Sequence, residues 1–357
     1  MGEDFQTHYE VLSPLESVRK RPGMYVGGND GDGQMHLVLD VLANAYDRYL
    51  AGRCSSISIA VEADGAVCIT DDGPGMQLDP TDTWPGLHAV LSTLSNRPTV
   101  DGHRPHAHLG IGGIGLFVVN ALSERFEIST VRDGTESRAL YGRGVVIEPF
   151  SSAPTTKPNG TTIQFVPDAQ IFLHRRVARA KLTAVLEDLA FLAPKLTLAW
   201  SFAGDSLARE GLAGCVAAQI ARPVAEVATY AGTFETPSGP IDVDVALAWS
   251  IGYYADATID SFVNLYRTRS HGAHVDGLLD GIVGFFHTRS RKRAQADLVA
   301  AVSVVLTDVK FGNPTRDRLD SIEAREPVAH ATKRALEAWA AAHPDQLAAL
   351  QVHVTSR

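Results

Sequence analysis

The sequence predicts a two-domain α+β protein, and three observations lead to this fold class. The chain has 357 residues, which is roughly twice the length of a common single domain. Its first part alternates amphipathic helices with short hairpin-like strands, as expected of a sheet covered by helices. This pattern starts again around residues 211–223. We therefore place the boundary near residue 220 and expect domains at 1–220 and 221–357.

The N-terminal region predicts two helices and a hairpin. Ser13-Pro14-Leu15-Glu16 is a capping box with proline at the first helical position. A polar glycine-rich loop at 27–33 precedes an amphipathic helix from Met35 to Ala51, which Gly52 closes. Apolar residues then alternate on both sides of Asp64-Gly65, which is typical of a hairpin with a type I′ turn.

The rest of the chain continues in the same style. A polar stretch at 95–109 is long enough to predict a lid. Further helices are predicted near 87–94, 115–122, 182–192, 275–286 and 327–342. Further strands are predicted near 126–131, 138–141, 161–166, 196–200, 241–249, 262–266 and 302–309.

Charge and composition exclude several classes of protein. The net charge of −9 gives no indication of a DNA-binding surface, although a local basic patch would still permit one. Three scattered cysteines form neither a disulfide framework nor a zinc motif. The apolar runs are too short to span a bilayer. We therefore expect a cytoplasmic protein without a membrane partner.

One face of the predicted helix 35–51 carries polar residues at helical spacing. Asp40, Asn44 and Arg48 follow one another at intervals of four. A carboxylate suits the activation of water, and a carboxamide oxygen one turn later suits Mg²⁺ beside a phosphate. Taken alone, the pattern fits a solvated polar face better than a site.

Two further segments have the composition of a base pocket. Asp71-Asp72-Gly73-Pro74-Gly75 follows a hairpin strand, and its glycines allow a flat ligand to approach the backbone. The carboxylate of Asp71 suits an exocyclic amine such as adenine N6, but the segment alone equally fits a turn. Asn159-Gly160-Thr161 places a hydroxyl suited to a ligand at the start of a later strand, but alone the segment fits a turn better.

A glycine-rich stretch from Gly110 to Gly115 precedes a helix. Free backbone N–H groups in such a position bind phosphate. The stretch satisfies both G-x-G-x-x-G and G-x-x-G-x-G. A Rossmann fingerprint requires a strand directly before it, and residues 103–108 do not read as a strand.

The order and spacing of these four segments resemble the N, G1, G2 and G3 boxes of the GHKL ATPase superfamily. The sequence is also similar to the N-terminal ATPase and transducer domains of DNA gyrase B and other type II topoisomerases. The similar segments are residues 18–27, 118–123, 271–274 and 302–311. The resemblance implies a Bergerat-type α/β sandwich that binds ATP, followed by a transducer domain of the ribosomal-protein S5-like fold.

The resemblance also implies roles for single residues. Asn44 matches the Mg²⁺ ligand, Asp40 matches the general base, and Arg316 matches the transducer residue that reaches the γ-phosphate. The resemblance also implies ATP and Mg²⁺ as cofactors and a homodimer when ATP is bound. The residues implied to bind ATP are Asn44, Asp71, Gly73, Gly75, Met76, Gly110, Gly113, Gly115, Arg132 and Thr161.

The sequence departs from the family at several of these positions. Asp40 replaces a glutamate, which withdraws its carboxylate by roughly 1.5 Å. If this shortening limits the reaction, Asp40→Glu is expected to raise the rate. Pro314-Thr315-Arg316 replaces a Gln-Thr-Lys loop, and a glutamate–arginine pair is lost at Arg48 and Pro74.

We therefore expect a gyrase-B-like module that binds ATP, hydrolyses it slowly and dimerises as an ATP-dependent clamp. The sequence contains no TOPRIM region for DNA cleavage, so we do not expect a complete topoisomerase. The departures at the active site favour a divergent stand-alone protein over a topoisomerase fragment. Two alternatives remain: an enzyme that transfers a phosphoryl or adenylyl group to a small molecule, and a nucleotide-sensing module with little hydrolysis.

Overall fold

The computed structural model describes residues 12–62, 64–80, 86–94, 114–174, 176–200, 211–220, 223, 225–250, 256–288, 290–307, 309–313 and 315–355. Two sheets organise these residues, each with its own apolar core. The two-domain α+β class predicted from the sequence is confirmed.

The first sheet has seven strands in the order β5-β4-β3-β6-β2-β1-β7. All neighbours are antiparallel except β1 and β7. Its strands are β1 (Ser56–Val61), β2 (Val67–Asp71), β3 (Ser123–Arg132), β4 (Thr135–Gly142), β5 (Val145–Pro154), β6 (Gly160–Pro167) and β7 (Thr197–Trp200).

Helices cover one face of this sheet. They are α1 (Pro14–Lys20), α2 (Gly23–Val26), α3 (Gly31–Leu50), α4 (Leu87–Ser92), α5 (Gly115–Ala121) and α6 (Arg179–Leu192). Alternate strand residues such as Ile57, Ile69 and Phe165 point into the shared core. This two-layer arrangement is the α/β sandwich that the resemblance implies.

The helix that carries the polar face begins earlier than predicted. Helix α3 starts at Gly31 rather than Met35, because the side chain of Asp30 accepts hydrogen bonds from the backbone N–H groups of Asp32 and Gly33. The glycine-rich loop is correspondingly shorter. The capping box at Ser13 and Glu16 forms as predicted.

The second sheet has five strands in the order β11-β10-β12-β9-β8. They are β8 (Ala228–Thr236), β9 (Gly239–Trp249), β10 (Thr258–Val263), β11 (Tyr266–Arg267) and β12 (Leu298–Val305). Every residue of β12 is buried, since helices cover both faces of the sheet at this strand.

The helices of this second half are α7 (Gly211–Ala217), α8 (Ala273–Phe286), α9 (Arg291–Gln295), α10 (Arg325–Ala342) and α11 (Pro344–Thr355). Helices α8 and α10 pack on one face of the sheet, and α7 packs on the other. Helix α7 precedes residue 220 but packs against β9 and β12 of the second sheet. The boundary near residue 220 stays a prediction.

Several strands and helices of the structure were not predicted from the sequence pattern. Strand β5 is exposed along nearly all its length, so it lacks the apolar alternation that indicates a half-buried strand. Strand β8 and helices α7, α9 and α11 were also missed. The described helices include none long and apolar enough to cross a membrane, and the three cysteines are free thiols.

The two halves meet through the turn before β11. Leu265 and Tyr266 belong to the apolar core of the first sheet. The next residue, Arg267, donates a hydrogen bond from Nε to Oδ2 of Asp188 on α6 over 3.0 Å, and it also pairs with Asp260. This turn therefore brings second-domain side chains to the N-terminal half of α3.

Candidate functional site

One end of the candidate site, called the base end because it contains the residues predicted to bind a nucleotide base, lies where three strands run side by side. Asp71 ends β2 and is paired in register with Thr161 on β6, which is paired with Thr130 on β3. All three residues are buried. The predicted residues Asp71 and Thr161 are therefore neighbours, although 90 positions separate them in the sequence.

The carboxylate of Asp71 is anchored through one oxygen. Its Oδ1 accepts a hydrogen bond from the backbone N–H of Gly73 over 2.9 Å. Burial raises the pKa of Asp71, and the nearby charge of Arg48 opposes that rise. Among the described residues, Oδ2 has no hydrogen-bond partner. It can accept a hydrogen bond from the exocyclic amine of a base.

A second unpaired polar atom lies on the neighbouring strand. Oγ1 of Thr161 is buried and makes no hydrogen bond within the described part of the chain. Buried polar atoms are rarely left unpaired in native structures. Together with Oδ2 of Asp71, this hydroxyl fits a polar ligand between β2 and β6.

The segment after Asp71 is clamped against β3. The backbone N–H of Met76 donates to Oγ1 of Thr130 over 2.6 Å. Gly75 has φ +77°, and a Cβ there would lie 2.2 Å from the carbonyl oxygen of Val131. Nη1 of Arg132 donates to the carbonyl oxygen of Gly75 over 3.4 Å. These contacts fix the glycine backbone that a base would approach.

Substitution of Gly75 is expected to be strongly destabilising. Gly75→Ala combines left-handed strain with a steric clash against Val131, which together amount to roughly 3 kcal/mol or more. Gly52→Ala is the matched control, because Gly52 has φ +68° but open space around its Cβ. It is expected to lose only about 1–2 kcal/mol. Equal losses for the two variants in denaturant unfolding would contradict the close approach.

The polar face of α3 leads from this pocket to a second cluster. Nη1 of Arg48 donates to the carbonyl oxygen of Asn44, and Nδ2 of Asn44 donates to the carbonyl oxygen of Asp40. Two helical turns, about 12 Å, separate Asp40 from Arg48. Arg48 lies beside Asp71 and Gly73, so the base pocket and Asp40 are at opposite ends of one helix face.

Asn44 fits the predicted magnesium role. Its amide nitrogen donates to the backbone carbonyl of Asp40, and its amide oxygen has no hydrogen-bond partner among the described residues. An amide oxygen is a ligand that Mg²⁺ accepts, usually together with phosphate oxygens and water. The residues present therefore suit a magnesium–nucleotide complex at this end.

Asp40 lies at the meeting point of three elements. A Cβ built on Gly115, the first residue of α5, would lie 3.2 Å from Cβ of Asp40. The hydroxyl of Tyr266 donates to Oδ1 of Asp40 over 3.1 Å. Nη1 of Arg316 approaches the same oxygen at 3.5 Å. The end of the glycine-rich loop and the second domain thus converge on this carboxylate.

The loop that carries Arg316 is held against the first domain. A Cβ on Gly27 would lie 3.1 Å from Cγ2 of Thr315. Arg316 has φ +60°, and its guanidinium carbon lies 4.4 Å from the centroid of the Tyr266 ring. The structure therefore brings the predicted residues Asp40 and Arg316 together from different domains.

His36 and Tyr266 are site residues that the sequence analysis missed. His36 lies one helical turn before Asp40, and its buried Nδ1 has no partner among the described residues. Burial and the charge of Arg316 lower the pKa of His36 to about 4, so the ring is neutral near pH 7. The spacing of four residues between His36 and Asp40 could have indicated that His36 lies on the same helix face, whereas no local pattern indicated Tyr266.

Not every predicted residue can be placed. Gly110 and Gly113 of the glycine-rich loop, the lid stretch at 95–109 and Pro314 lie outside the described residues. Of the predicted set, the structure groups Asp71, Gly73, Gly75, Met76, Arg132 and Thr161 at the base end and Asp40, Asn44, Gly115 and Arg316 at the other.

Comparisons with known proteins agree with this division. Residues 29–171 match the family described as histidine kinase-, DNA gyrase B- and HSP90-like ATPase. Residues 211–356 match the DNA gyrase B family.

Individual relatives match over most of the chain. The B-type subunit of DNA topoisomerase 4 from Caulobacter vibrioides is 30% identical over 100% of this chain and 56% of its own length. The DNA gyrase B of Synechocystis is 32% identical over 88% of this chain and 31% of its own. The chain therefore spans between about a third and a little over half of these relatives.

A solved structure matches both halves at once. The 43K ATPase domain of Thermus thermophilus gyrase B, in complex with an aminocoumarin, is 26% identical with a TM-score of 0.79. The match covers 96% of this chain and 94% of that one. With an ATPase-type first domain, a gyrase-B-type second domain and relatives that match across both, this chain belongs to the GHKL superfamily as a gyrase-B-like protein.

Proposed function

We propose that this protein binds ATP with Mg²⁺ between its two domains and hydrolyses it slowly. The observation that supports the proposal most directly is the position of Asp40 between the first residue of α5 and Arg316 of the second domain. The base end is supported by Asp71 and Thr161, whose Oδ2 and Oγ1 lack partners in the described structure.

The proposed reaction follows from the groups around Asp40. A water oxygen forms a bond to the γ-phosphorus while the bond to the bridging oxygen breaks. Asp40 accepts the water proton, and ADP leaves with the electron pair of the bridging oxygen. Mg²⁺, when bound, neutralises phosphate charge. Asn44 would hold the metal, and Arg316 stabilises the γ-phosphate.

Product analysis tests this proposal directly. Incubation with ATP and Mg²⁺ is expected to yield ADP and inorganic phosphate without any added metabolite. Formation of AMP and pyrophosphate, or turnover only when a small molecule is added, would favour group transfer instead. The absence of nucleotide binding in calorimetry would contradict the proposal as a whole.

A nucleotide sensor is a second candidate, and one contact favours it. Oδ1 of Asp40 is already approached by Tyr266 and Arg316, which restricts the carboxylate as a base. Tight binding of ATP without release of phosphate over many hours would support the sensor and exclude the slow ATPase.

We also propose that ATP locks the domains together and drives dimerisation, with Arg316 as the sensor. Only ATP offers the γ-phosphate charge, so the response should differ between ATP and ADP. In the parent protein, a non-hydrolysable ATP analogue with Mg²⁺ is expected to produce a dimer in light scattering, and ADP is not.

Replacement of Arg316 separates binding from this response. Arg316→Ala is expected to retain adenine affinity within about threefold, because Asp71 is unchanged, and to lose the analogue-induced dimer. Arg318→Ala is the matched control, since that side chain is 54% exposed and pairs with Asp320. A parent that responds identically to the analogue and to ADP would exclude the sensor role.

A further inference from the structure

Tyr266 belongs to the second domain by sequence but to the first by packing. It opens β11, is 3% exposed and lies in the apolar core of the first sheet. Its hydroxyl is directed at Oδ1 of Asp40 over 3.1 Å. Asp40, the proposed general base, is therefore held by a side chain from the other domain.

The aromatic ring of Tyr266 also organises its neighbours. The guanidinium of Arg316 lies over its face, 4.4 Å from the centroid, in a cation–π contact. The ring of His36 meets it edge-on, with centroids 6.0 Å apart. Burial keeps the pKa of Tyr266 well above its usual range, so the phenol stays protonated and donates to Asp40.

The distances leave no room for a longer carboxylate in this direction. One additional methylene would advance the carboxylate by roughly 1.5 Å. In the limiting case of an advance straight along the 3.1 Å hydrogen bond, its oxygen would lie about 1.6 Å from the phenol oxygen, well inside the 2.5–3.0 Å of an O–H···O hydrogen bond. Aspartate therefore fits between α3 and Tyr266, whereas a glutamate extended toward Tyr266 clashes with the phenol and has to turn its carboxylate away from the position that Asp40 occupies.

We propose that Tyr266 is the positioning residue of Asp40, and that the two form a matched pair in which the phenol occupies the space of the missing methylene. This inference rests on the proposed function. Tyr266 and Arg316 hold Oδ1, which leaves Oδ2 to accept the proton of the attacking water. The expected effect of Asp40→Glu is thereby reversed: with Tyr266 in place, the longer side chain slows the reaction.

Four proteins test the pair: the parent, Asp40→Glu, Tyr266→Phe and the double variant. Asp40→Glu is expected to lower kcat about 100-fold, as for a 1 Å misplacement. Tyr266→Phe is expected to lower kcat about 10-fold, with KM and analogue affinity within about twofold. Since loss of the phenol oxygen makes room for the methylene, the double variant should be at least about 10-fold faster than Asp40→Glu alone.

The control replaces a tyrosine of similar burial that does not touch Asp40. Tyr46 is 2% exposed and lies in the same core, so Tyr46→Phe should give no rescue of Asp40→Glu. If Tyr266→Phe rescues Asp40→Glu and Tyr46→Phe does not, the result supports the matched pair. Multiplicative effects of the two changes, or an Asp40→Glu variant at least as fast as the parent, would overturn it.

A second readout separates this inference from the proposed function. Melting temperatures of the same four proteins, measured without nucleotide, are expected to be non-additive by about 2 °C, with the double variant less destabilised than the sum of the singles. If the parent protein shows no ATP turnover, the proposed hydrolysis is wrong. The melting temperatures would then decide whether Tyr266 and Asp40 form a matched pair. Additive melting shifts would overturn it whether or not ATP is hydrolysed.

Discussion

Asp71→Asn is expected to weaken ATP binding by roughly 100-fold or more. The substitution removes the charge and replaces one of the two carboxylate oxygens by an N–H₂ group. The backbone N–H of Gly73 keeps the remaining oxygen at the position of Oδ1, so the N–H₂ group takes the position of Oδ2. If the N–H₂ group faces the adenine amine, two donors meet in a buried site, which costs about 2–3 kcal/mol. Calorimetry with a non-hydrolysable analogue and Mg²⁺ measures the affinity.

The neighbouring aspartate provides the control for this experiment. Asp72 is adjacent, but its carboxylate accepts hydrogen bonds from the backbone N–H groups of Ser55 and Ser56 over 2.8 and 2.9 Å. Asp72→Asn should therefore lower stability while nucleotide affinity stays within about threefold. Similar affinity losses in both variants, or nearly unchanged affinity in Asp71→Asn, would remove Asp71 from base recognition.

Asp40→Asn is expected to abolish measurable hydrolysis while ATP binding is retained. An amide cannot accept the proton of the attacking water, and loss of a general base lowers rates by about 10²–10⁴-fold. The amide oxygen still accepts the hydrogen bond from Tyr266, so the fold around it should persist. Phosphate release under single-turnover conditions measures the effect.

An exposed aspartate on the same helix serves as the control for Asp40. Asp32 pairs with Lys181 at the surface, and Asp32→Asn should leave turnover within about twofold. Residual hydrolysis near the parent rate in Asp40→Asn would show that another group activates the water. The assignment of the base to Asp40 would then be wrong.

Local spacing singled out several residues of the candidate site, but only the resemblance to gyrase B distinguished them from a solvated helix face and ordinary turns. Asp40, Asn44 and Arg48 share a face because the helical period places every fourth residue on the same side. Asp71, Gly73 and Gly75 are found by a turn composition that directly follows a strand. The resemblance to gyrase B gave Thr161 its role and added Met76, Arg132 and Arg316. No local pattern bridges the separation of Thr161 and Arg316 from the other site residues.

The contacts between side chains across the site could not be predicted from local sequence patterns. Tyr266 ends a predicted strand of ordinary apolar composition, and only the packing of β11 against the first core brings it to Asp40. The proposed pairing reverses the expected effect of Asp40→Glu, because the sequence shows a shorter side chain but not what occupies the space in front of it.

The sequence by itself determined the two-domain α+β class, the helix that carries Asp40 and the hairpin that leads to Asp71, because these depend on periodicity and turn chemistry within short stretches. Only the tertiary structure decided the partners of each carboxylate: Gly73 for Asp71, and Tyr266 and Arg316 for Asp40. Such pairings depend on which strands become neighbours and how the two cores meet. Those choices depend on burial summed over the whole chain rather than on any single segment.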